Sequence, residues 1–280
     1  MAYKDLLLTL ASYPETTPPP AIDLATDFAA AIGAKISAIA CEIRVAVPGS
    51  FLSPALLDVP GIAASDEKKS RLQAEASLAA FQAAAEKRGV FEECILERCL
   101  TSEQRELLVD YARLRDLTII PVQENALFGA WNTEPIIFES GRPVLLLPQT
   151  SRKPFALNTA TVAWDFSRPA ARAVADALPL LAQAKRVHIV TVTNEKRIDT
   201  KRSGPELAKH LARHGVEVIL DTVDAAGRTV AHALEAALTS HDSDLLVMGA
   251  FGHSRFRQFV LGGATLSMMS RPPLPVLLSH

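Results

Sequence analysis

Glycines and small polar residues near the end of the chain have a spacing that can hold a phosphate group. Asp244 precedes four apolar residues, 245–248, which suit a strand buried on both faces in a parallel sheet. Glycines follow at once, and because glycine has no Cβ they let the chain turn sharply and approach a ligand closely. A later Gly-Gly pair can begin a helix whose free N–H groups favour an anion. The pattern predicts a nucleotide site, with simple turn formation as the alternative. The positions concerned are Gly249, Gly252, Gly262, Gly263, Ala264 and Thr265.

The aspartate-led strand, the glycine spacing and a closing P-V-L-L strand at 275–278 together resemble the universal stress protein family. In the nucleotide-binding members of that family, the glycine loop wraps the ribose and phosphates of ATP. Those members carry Ser or Thr directly after the third glycine, whereas this chain has Gly263 after Gly262. A side-chain donor is lost, while backbone N–H groups remain and Thr265 lies in the first helical turn. The resemblance therefore implies an ATP site with weakened phosphate contacts.

The resemblance also implies contacts from the first two strands of the second half. Asp165 follows an apolar strand at its carboxyl end, the edge where open α/β sheets place their ligands. The matching Asp of the family approaches adenine and ribose, and we keep helix capping as its alternative role. Backbone contacts to adenine are implied for Ala163, Trp164 and Val192, with Met248 beside the loop. The Trp164 ring is either core or an adenine-stacking surface, and we favour the core.

Three basic residues inside the glycine loop, His253, Arg255 and Arg257, can meet phosphate oxygens, and we favour Arg255 over His253, although a solvated loop would also contain them. The loop is accompanied by no Ser-His-Asp ordering, nucleophile elbow or Walker Lys-Ser/Thr. We therefore expect a protein that holds ATP, or AMP or ADP in its place, with magnesium as a companion ion. It is expected not to be an enzyme, or at most to be a slow ATPase.

The two halves of the chain repeat one another. Segment 116–121 matches 244–249, and each half closes on a Pro-led apolar strand. Short strands alternate with amphipathic helices, which predicts an α/β fold of two tandem Rossmann-like domains. Each is expected to be an open five-stranded, mostly parallel sheet with helices on both faces. The domains are placed at 1–150 and 155–280, joined by a polar linker at 149–158.

Element boundaries follow from the same patterns. Ser167 and Pro169 mark a helix start, and a long helix is predicted at about 65–88. The loop before it, 45–64, is interpreted as a surface insertion, with a pocket cover or dimer surface as alternatives. Strands of the second half are predicted near 159–165, 186–192, 216–221, 244–249 and 275–279.

The first half lacks the features of the second site. Ala11 stands where Asp165 stands in the second half, and Pro121 and Glu124 replace the first two glycines. A carboxylate would repel phosphates at close range. We read this half as a structural copy, so one nucleotide per chain is predicted.

Composition limits the other classes of function. A formal net charge of −2 without basic blocks argues against nucleic-acid or membrane partners, and the chain lacks an apolar run of bilayer length or a signal-peptide layout. We expect a cytoplasmic protein. Its three cysteines are expected to be buried thiols. His210 and His214 are expected to lie on an exposed helix face and not to form a zinc site.

The leading expectation is an ATP-binding protein of the universal stress type that acts in stress response as a regulatory or protective factor. A nucleotide-independent interaction scaffold of the same fold is the alternative. A nucleotide-dependent transferase is disfavoured because no S-G-G-x-D-S loop follows either first strand. The resemblance implies that the closing strands 143–147 and 275–279 meet, because single-domain members of the family commonly dimerise through this strand and an exposed apolar edge strand needs a partner. Their meeting makes an intramolecular pseudo-dimer, and a homodimer is a further option.

Overall fold

A computed structural model of the chain describes residues 2–44, 59–122, 127–149, 154–194, 200–250 and 263–280. Strands and helices alternate along each half, as the spacing of apolar segments predicts. The strands of the first half are β1 Asp5–Leu10, β2 Lys35–Arg44, β3 Phe91–Leu100, β4 Leu117–Val122 and β5 Val144–Pro148. Its helices are α1 Pro19–Ile32, α2 Val59–Lys87, α3 Gln104–Arg113 and α4 Leu127–Glu139.

The second half repeats this order. Its strands are β6 Thr159–Ala163, β7 Arg186–Thr193, β8 Val218–Asp224, β9 Leu245–Gly249 and β10 Val276–Ser279. Its helices are α5 Arg168–Leu181, α6 Thr200–Ala212, α7 Val230–Ser240 and α8 Gly263–Ser270.

The ten strands form one continuous sheet in the order β3-β2-β1-β4-β5-β10-β9-β6-β7-β8. Neighbouring strands are parallel within each half, and β5 pairs with β10 in the antiparallel sense, with Leu145 opposite Leu277. The prediction that the two closing strands meet is therefore confirmed. Because the direction reverses at this junction, the carboxyl ends of the two sets of strands lie at opposite edges of the sheet.

Helices cover both faces of the sheet, which confirms the predicted fold class. One core cluster contains side chains of α1, α2, α5 and α6, and the other contains side chains of α3, α4, α7 and α8. All residues of β5 and β10 are buried, as expected for strands at the centre of a sheet that is covered twice.

An aspartate directly precedes the fourth strand of each half and accepts hydrogen bonds from the start of the neighbouring first strand. Asp116 Oδ2 accepts hydrogen bonds from the backbone N–H groups of Lys4 and Asp5, at 2.8 and 3.1 Å. Asp244 Oδ2 accepts from Asn158 and Thr159 at 2.8 and 3.0 Å. The repeated aspartates therefore hold strand starts at the amino edge, away from the edge where a ligand is expected.

Side chains also join the two halves. The buried Tyr3 hydroxyl donates to the backbone carbonyl of Asp176 on α5, and burial raises the pKa of that hydroxyl far above its ordinary value. Phe28 on α1 packs edge-on against Phe155 of the linker, with ring centroids 4.9 Å apart. The halves thus share side-chain contacts on one face in addition to the β5–β10 hydrogen bonds.

Several boundary predictions need correction. Helix α2 begins at Val59, about six residues before the predicted start, so the end of the predicted 45–64 loop is helical; residues 45–58 lie outside the described part of the chain. Strand β8 extends to Asp224, three residues beyond the prediction. Cys41 and Cys99 are buried as expected, but Cys94, on the edge strand β3, is exposed. None of the helices within the described ranges combines the length and apolar composition that a bilayer-spanning helix needs.

Candidate functional site

The candidate site of the second half lies where its strand order changes direction. Strands β6 and β9 are neighbours, with Ala163 beside Met248. From β6 the chain proceeds outward to β7 and β8, and from β9 it proceeds the other way to β10. The strand order therefore changes direction between β6 and β9, and in such sheets the ligand crevice lies outside the carboxyl ends of the strands at this point. Residues predicted from two separate strands are thus brought together.

Asp165 lies in the turn that leads from β6 into α5. Its Oδ1 accepts a hydrogen bond from the backbone N–H of Ser167 at 3.0 Å, and Ser167 Oγ accepts from the N–H of Ala170 at 3.2 Å. Ser167 is therefore the helix cap, as predicted, and Asp165 stabilises the turn before it. Phe166 between them adopts a left-handed φ of 60° and its side chain is exposed. Asp165 remains partly exposed at the carboxyl edge.

Trp164 is a core residue. Its side chain is only 7% exposed, and its indole Nε1 donates to Ser203 Oγ at 2.9 Å. The ring packs with the α5 and α6 side of the core, so the alternative of an adenine-stacking surface is wrong. Val192 is buried on the opposite face, one residue before the end of β7. Any contact of these two residues with a ligand at the edge has to come from their backbone atoms.

The loops after β7 and β8 are joined at the same edge. Asn194 adopts a left-handed φ of 66° directly after β7. The N–H of Ala226 donates to Asp224 Oδ1 at 2.7 Å, and this bond, followed by one from Asn194, holds the pKa of Asp224 below its ordinary value. Asp224 is therefore ionised and fixes the turn that follows β8.

Gly249, at the end of β9, is in close contact with the start of α5. A Cβ placed on it would lie 2.5 Å from the backbone N of Ala170 and 2.5 Å from the backbone C of Pro169. The absence of a side chain is therefore required by helix packing within the fold. This glycine was expected to allow the close approach of a ligand. In the structure, the group that approaches it closely is the backbone of α5.

Helix α8 begins at Gly263. Because α8 connects β9 to the parallel strand β10, its amino end lies at the carboxyl edge, where its first N–H groups lack helical partners. Among the described residues, no atom lies within 4 Å of a Cβ placed on Gly263. Ala264 is partly buried, and Thr265 is only 3% exposed, so its side chain faces the core. Phosphate contacts in this turn are thereby limited to backbone groups.

Five predicted contact residues fall outside the described residues. These are Gly252, His253, Arg255, Arg257 and Gly262. The described part of the site consists of the strand ends, the Asp165 turn and the first turn of α8.

The matching edge of the first half has a different composition. Ala11 follows β1, and its N–H donates to Thr17 Oγ1 at 2.9 Å where the second half has its Asp165 turn. Pro121 lies within β4, paired with Leu147 of β5. Glu124 lies outside the described residues. At both described positions the residue that the resemblance requires is missing, because Ala11 replaces an aspartate and Pro121 replaces a glycine.

A family model of the universal stress protein family matches residues 157–280. The second half of the chain is a universal stress protein domain. The chain is similar over 98% of its length to the crystal structure of a universal stress protein from Archaeoglobus fulgidus DSM 4304, with 97% of that chain covered, 16% identity and a TM-score of 0.71.

A protein of unknown function from Pseudomonas aeruginosa PAO1 is similar over 99% of this chain and 92% of its own, with 12% identity and a TM-score of 0.56. At these identities the likeness shows the fold, which both halves share with universal stress proteins. No curated protein matches the chain at a significant level.

Sequence reasoning missed a group of three side chains in the universal stress protein domain. His188 on β7, Asp221 on β8 and His241 at the end of α7 place one ligand atom each within 4.8 Å of one another. The residues are 33 and 20 positions apart. No spacing rule selects them, because strand pairing and helix packing bring them together.

Proposed function

We propose that this protein binds adenine nucleotides, ATP above all, in its universal stress protein domain and acts in stress response as a regulatory or protective factor. One observation carries the proposal. Asp165 and the first turn of α8 both lie at the carboxyl edge, beside the β6–β9 crevice of a domain of this family. A carboxylate and a set of free N–H groups are the chemistry needed for ribose hydroxyls and phosphates.

The roles in this proposal follow from position. Asp165 accepts hydrogen bonds from the ribose hydroxyls, because it is partly exposed at the mouth of the crevice. Backbone groups of Ala163, Val192 and Met248, at the ends of their strands, face the adenine. The N–H groups at the start of α8 hold phosphate oxygens, and no atom of the described residues lies within 4 Å of a Cβ placed on Gly263. AMP and ADP would use the same adenine and ribose contacts.

The proposed role is binding without rapid chemistry. Phosphoryl transfer depends on cations that neutralise charge on the transferred group and on a residue that orients the nucleophile. The sequence has no Walker Lys-Ser/Thr pair after either first strand. A magnesium ion that accompanies the nucleotide would supply charge neutralisation. We therefore propose a protein that hydrolyses ATP slowly at most and whose occupancy alters its conformation or contacts.

A nucleotide-independent scaffold is the second candidate. It is favoured by Gly249, whose missing side chain is explained by its contact with α5 without any ligand. It is also favoured by Gly263, which provides no hydroxyl at the phosphate position. In this reading the glycines serve the fold alone.

An ATP titration of three proteins separates the two candidates. Wild type should bind ATP, and Gly263→Ser should bind about fivefold more tightly, because one added hydrogen bond is worth about 1 kcal/mol. Gly263→Ala is the matched control, since it makes the same backbone change without the hydroxyl, and it should bind like wild type. If neither wild type nor Gly263→Ser binds ATP at millimolar concentrations, the scaffold is the function.

A further inference from the structure

His188, Asp221 and His241 form a compact group on the α7 side of the outer strands. His188 Nδ1 lies 2.7 Å from Asp221 Oδ2, and His241 Nε2 lies 3.6 Å from the same oxygen. Their side chains are 12%, 29% and 15% exposed, so the group is largely enclosed but reachable from solvent. We call these three residues the His-Asp-His cluster.

The hydrogen bonds within the cluster leave one ring unsatisfied. His188 and Asp221 form a normal hydrogen bond, but the 3.6 Å from His241 Nε2 to Asp221 is too long for one. The other nitrogen of His241, Nδ1, is buried and has no hydrogen-bond partner among the described residues. His241 is held instead by stacking on His188, with ring centroids 3.9 Å apart and planes inclined by 16°. Nε2, the nitrogen that lies near Asp221, makes no normal hydrogen bond to it, so this nitrogen of a largely buried ring can take a further partner within the cluster.

We propose that the His-Asp-His cluster binds a divalent transition metal of the Zn²⁺ class, with water or a small ligand in a fourth position. Two imidazoles and one carboxylate are a ligand set that zinc accepts. Ligand atoms about 2.0–2.1 Å from a tetrahedral zinc lie roughly 3.4 Å from one another. The separations of 2.7 and 3.6 Å bracket that value. Because a metal lies in the plane of each imidazole that binds it, and the two rings are stacked with planes inclined by only 16°, one ring has to rotate before both can bind the same ion.

The surroundings of the cluster favour a positive ion. His241 ends α7, where the helix carries a partial negative charge that stabilises a positive ion. A metal ion would also join the edge strand β8 to β7 and α7.

The proposed metal site is separate from the proposed nucleotide site. His188 lies near the amino end of β7, beside Thr161 of β6 and five residues before the end of β7. That is roughly 16 Å along the strand from the carboxyl edge. Metal binding can therefore be tested without reference to ATP, and either proposal can fail alone.

Zinc titration of the intact, tag-free chain after chelator treatment tests the site. Wild type should bind one Zn²⁺ with defined affinity, and a mixed imidazole–carboxylate shell should appear in X-ray absorption at the zinc edge. His188→Gln, Asp221→Asn and His241→Gln should each weaken binding at least about tenfold. Far-UV circular dichroism without metal checks that each variant is folded. If one variant fails to fold, the other folded variants still test the site.

His210→Gln is the matched control. His210 and His214 form an exposed pair with ring centroids 5.0 Å apart, so they are the competing imidazole site within the described residues. The control should bind Zn²⁺ like wild type. If wild type binds no Zn²⁺, if the folded cluster variants bind normally, or if binding is lost in the control, the proposal is wrong.

Discussion

Replacing Gly249 with alanine should destabilise the fold by a measurable amount. The added Cβ would lie 2.5 Å from two backbone atoms of α5 and 2.8 Å from Pro169 Cβ. Ordinary carbon contacts lie at about 3.5–4.0 Å, so β9 and the start of α5 must separate by roughly 1 Å. Strand β9 is hydrogen-bonded on both sides, by β6 and β10, and the helix start is held by its Ser167 cap. Neither element can move without losing hydrogen bonds.

Overpacking of this kind costs typically about 1–3 kcal/mol, and we expect Gly249→Ala to lie near the upper end because both contacts are backbone atoms. Urea unfolding followed by far-UV circular dichroism measures the change in the free energy of unfolding. Gly263→Ala is the control, since its Cβ meets no atom of the described residues within 4 Å. It should be neutral or slightly stabilising, by less than about 1 kcal/mol. If Gly249→Ala is as stable as this control, the assigned packing role of Gly249 is refuted.

Three further perturbations test other parts of the account. Asp116→Ala and Asp244→Ala should each cost roughly 2 kcal/mol in urea unfolding, because each carboxylate accepts two backbone hydrogen bonds; an unchanged stability in either would contradict the repeated strand-fastening role. Tyr3→Phe should lower the unfolding free energy by about 1 kcal/mol through loss of the bond to the Asp176 carbonyl, and an unaltered thermal midpoint would count against that contact. Gly252→Val should weaken ATP binding in a calorimetric titration, since a branched side chain at that motif position would occupy ligand space; normal binding would remove Gly252 from the site.

Much of the fold was accessible from sequence because its signals are local. Apolar runs bounded by polar residues located the strands, and Ser167 with its following proline located the start of α5. The pairing of β5 with β10 was predicted from the family resemblance together with the need of an apolar edge strand for a partner. The start of α2 was placed too late because Pro60 and Gly61 read as turn residues. Proline is compatible with the first turn of a helix, where its missing N–H costs nothing.

The candidate site was predictable in part, for a physical reason. Asp165 follows β6 and Gly249 ends β9, and parallel strand ends meet at one edge, so sequence position alone placed them together. The contact between Gly249 and α5 depends on how closely a helix packs, which no local pattern encodes. The His-Asp-His cluster joins two strands and a helix end, so its signal exists only in three dimensions. Burial of Trp164 also required the packing of α6, whose Ser203 accepts its indole hydrogen bond.

Calorimetric titration of ATP into the intact chain tests the central claim most directly. The account predicts one site per chain, because the second half has Asp165 and the start of α8, whereas the first half has Ala11 and Pro121 at the matching positions. Titration should therefore show a single transition at a stoichiometry of one. Two equivalent sites, or no binding at millimolar ATP, would contradict it.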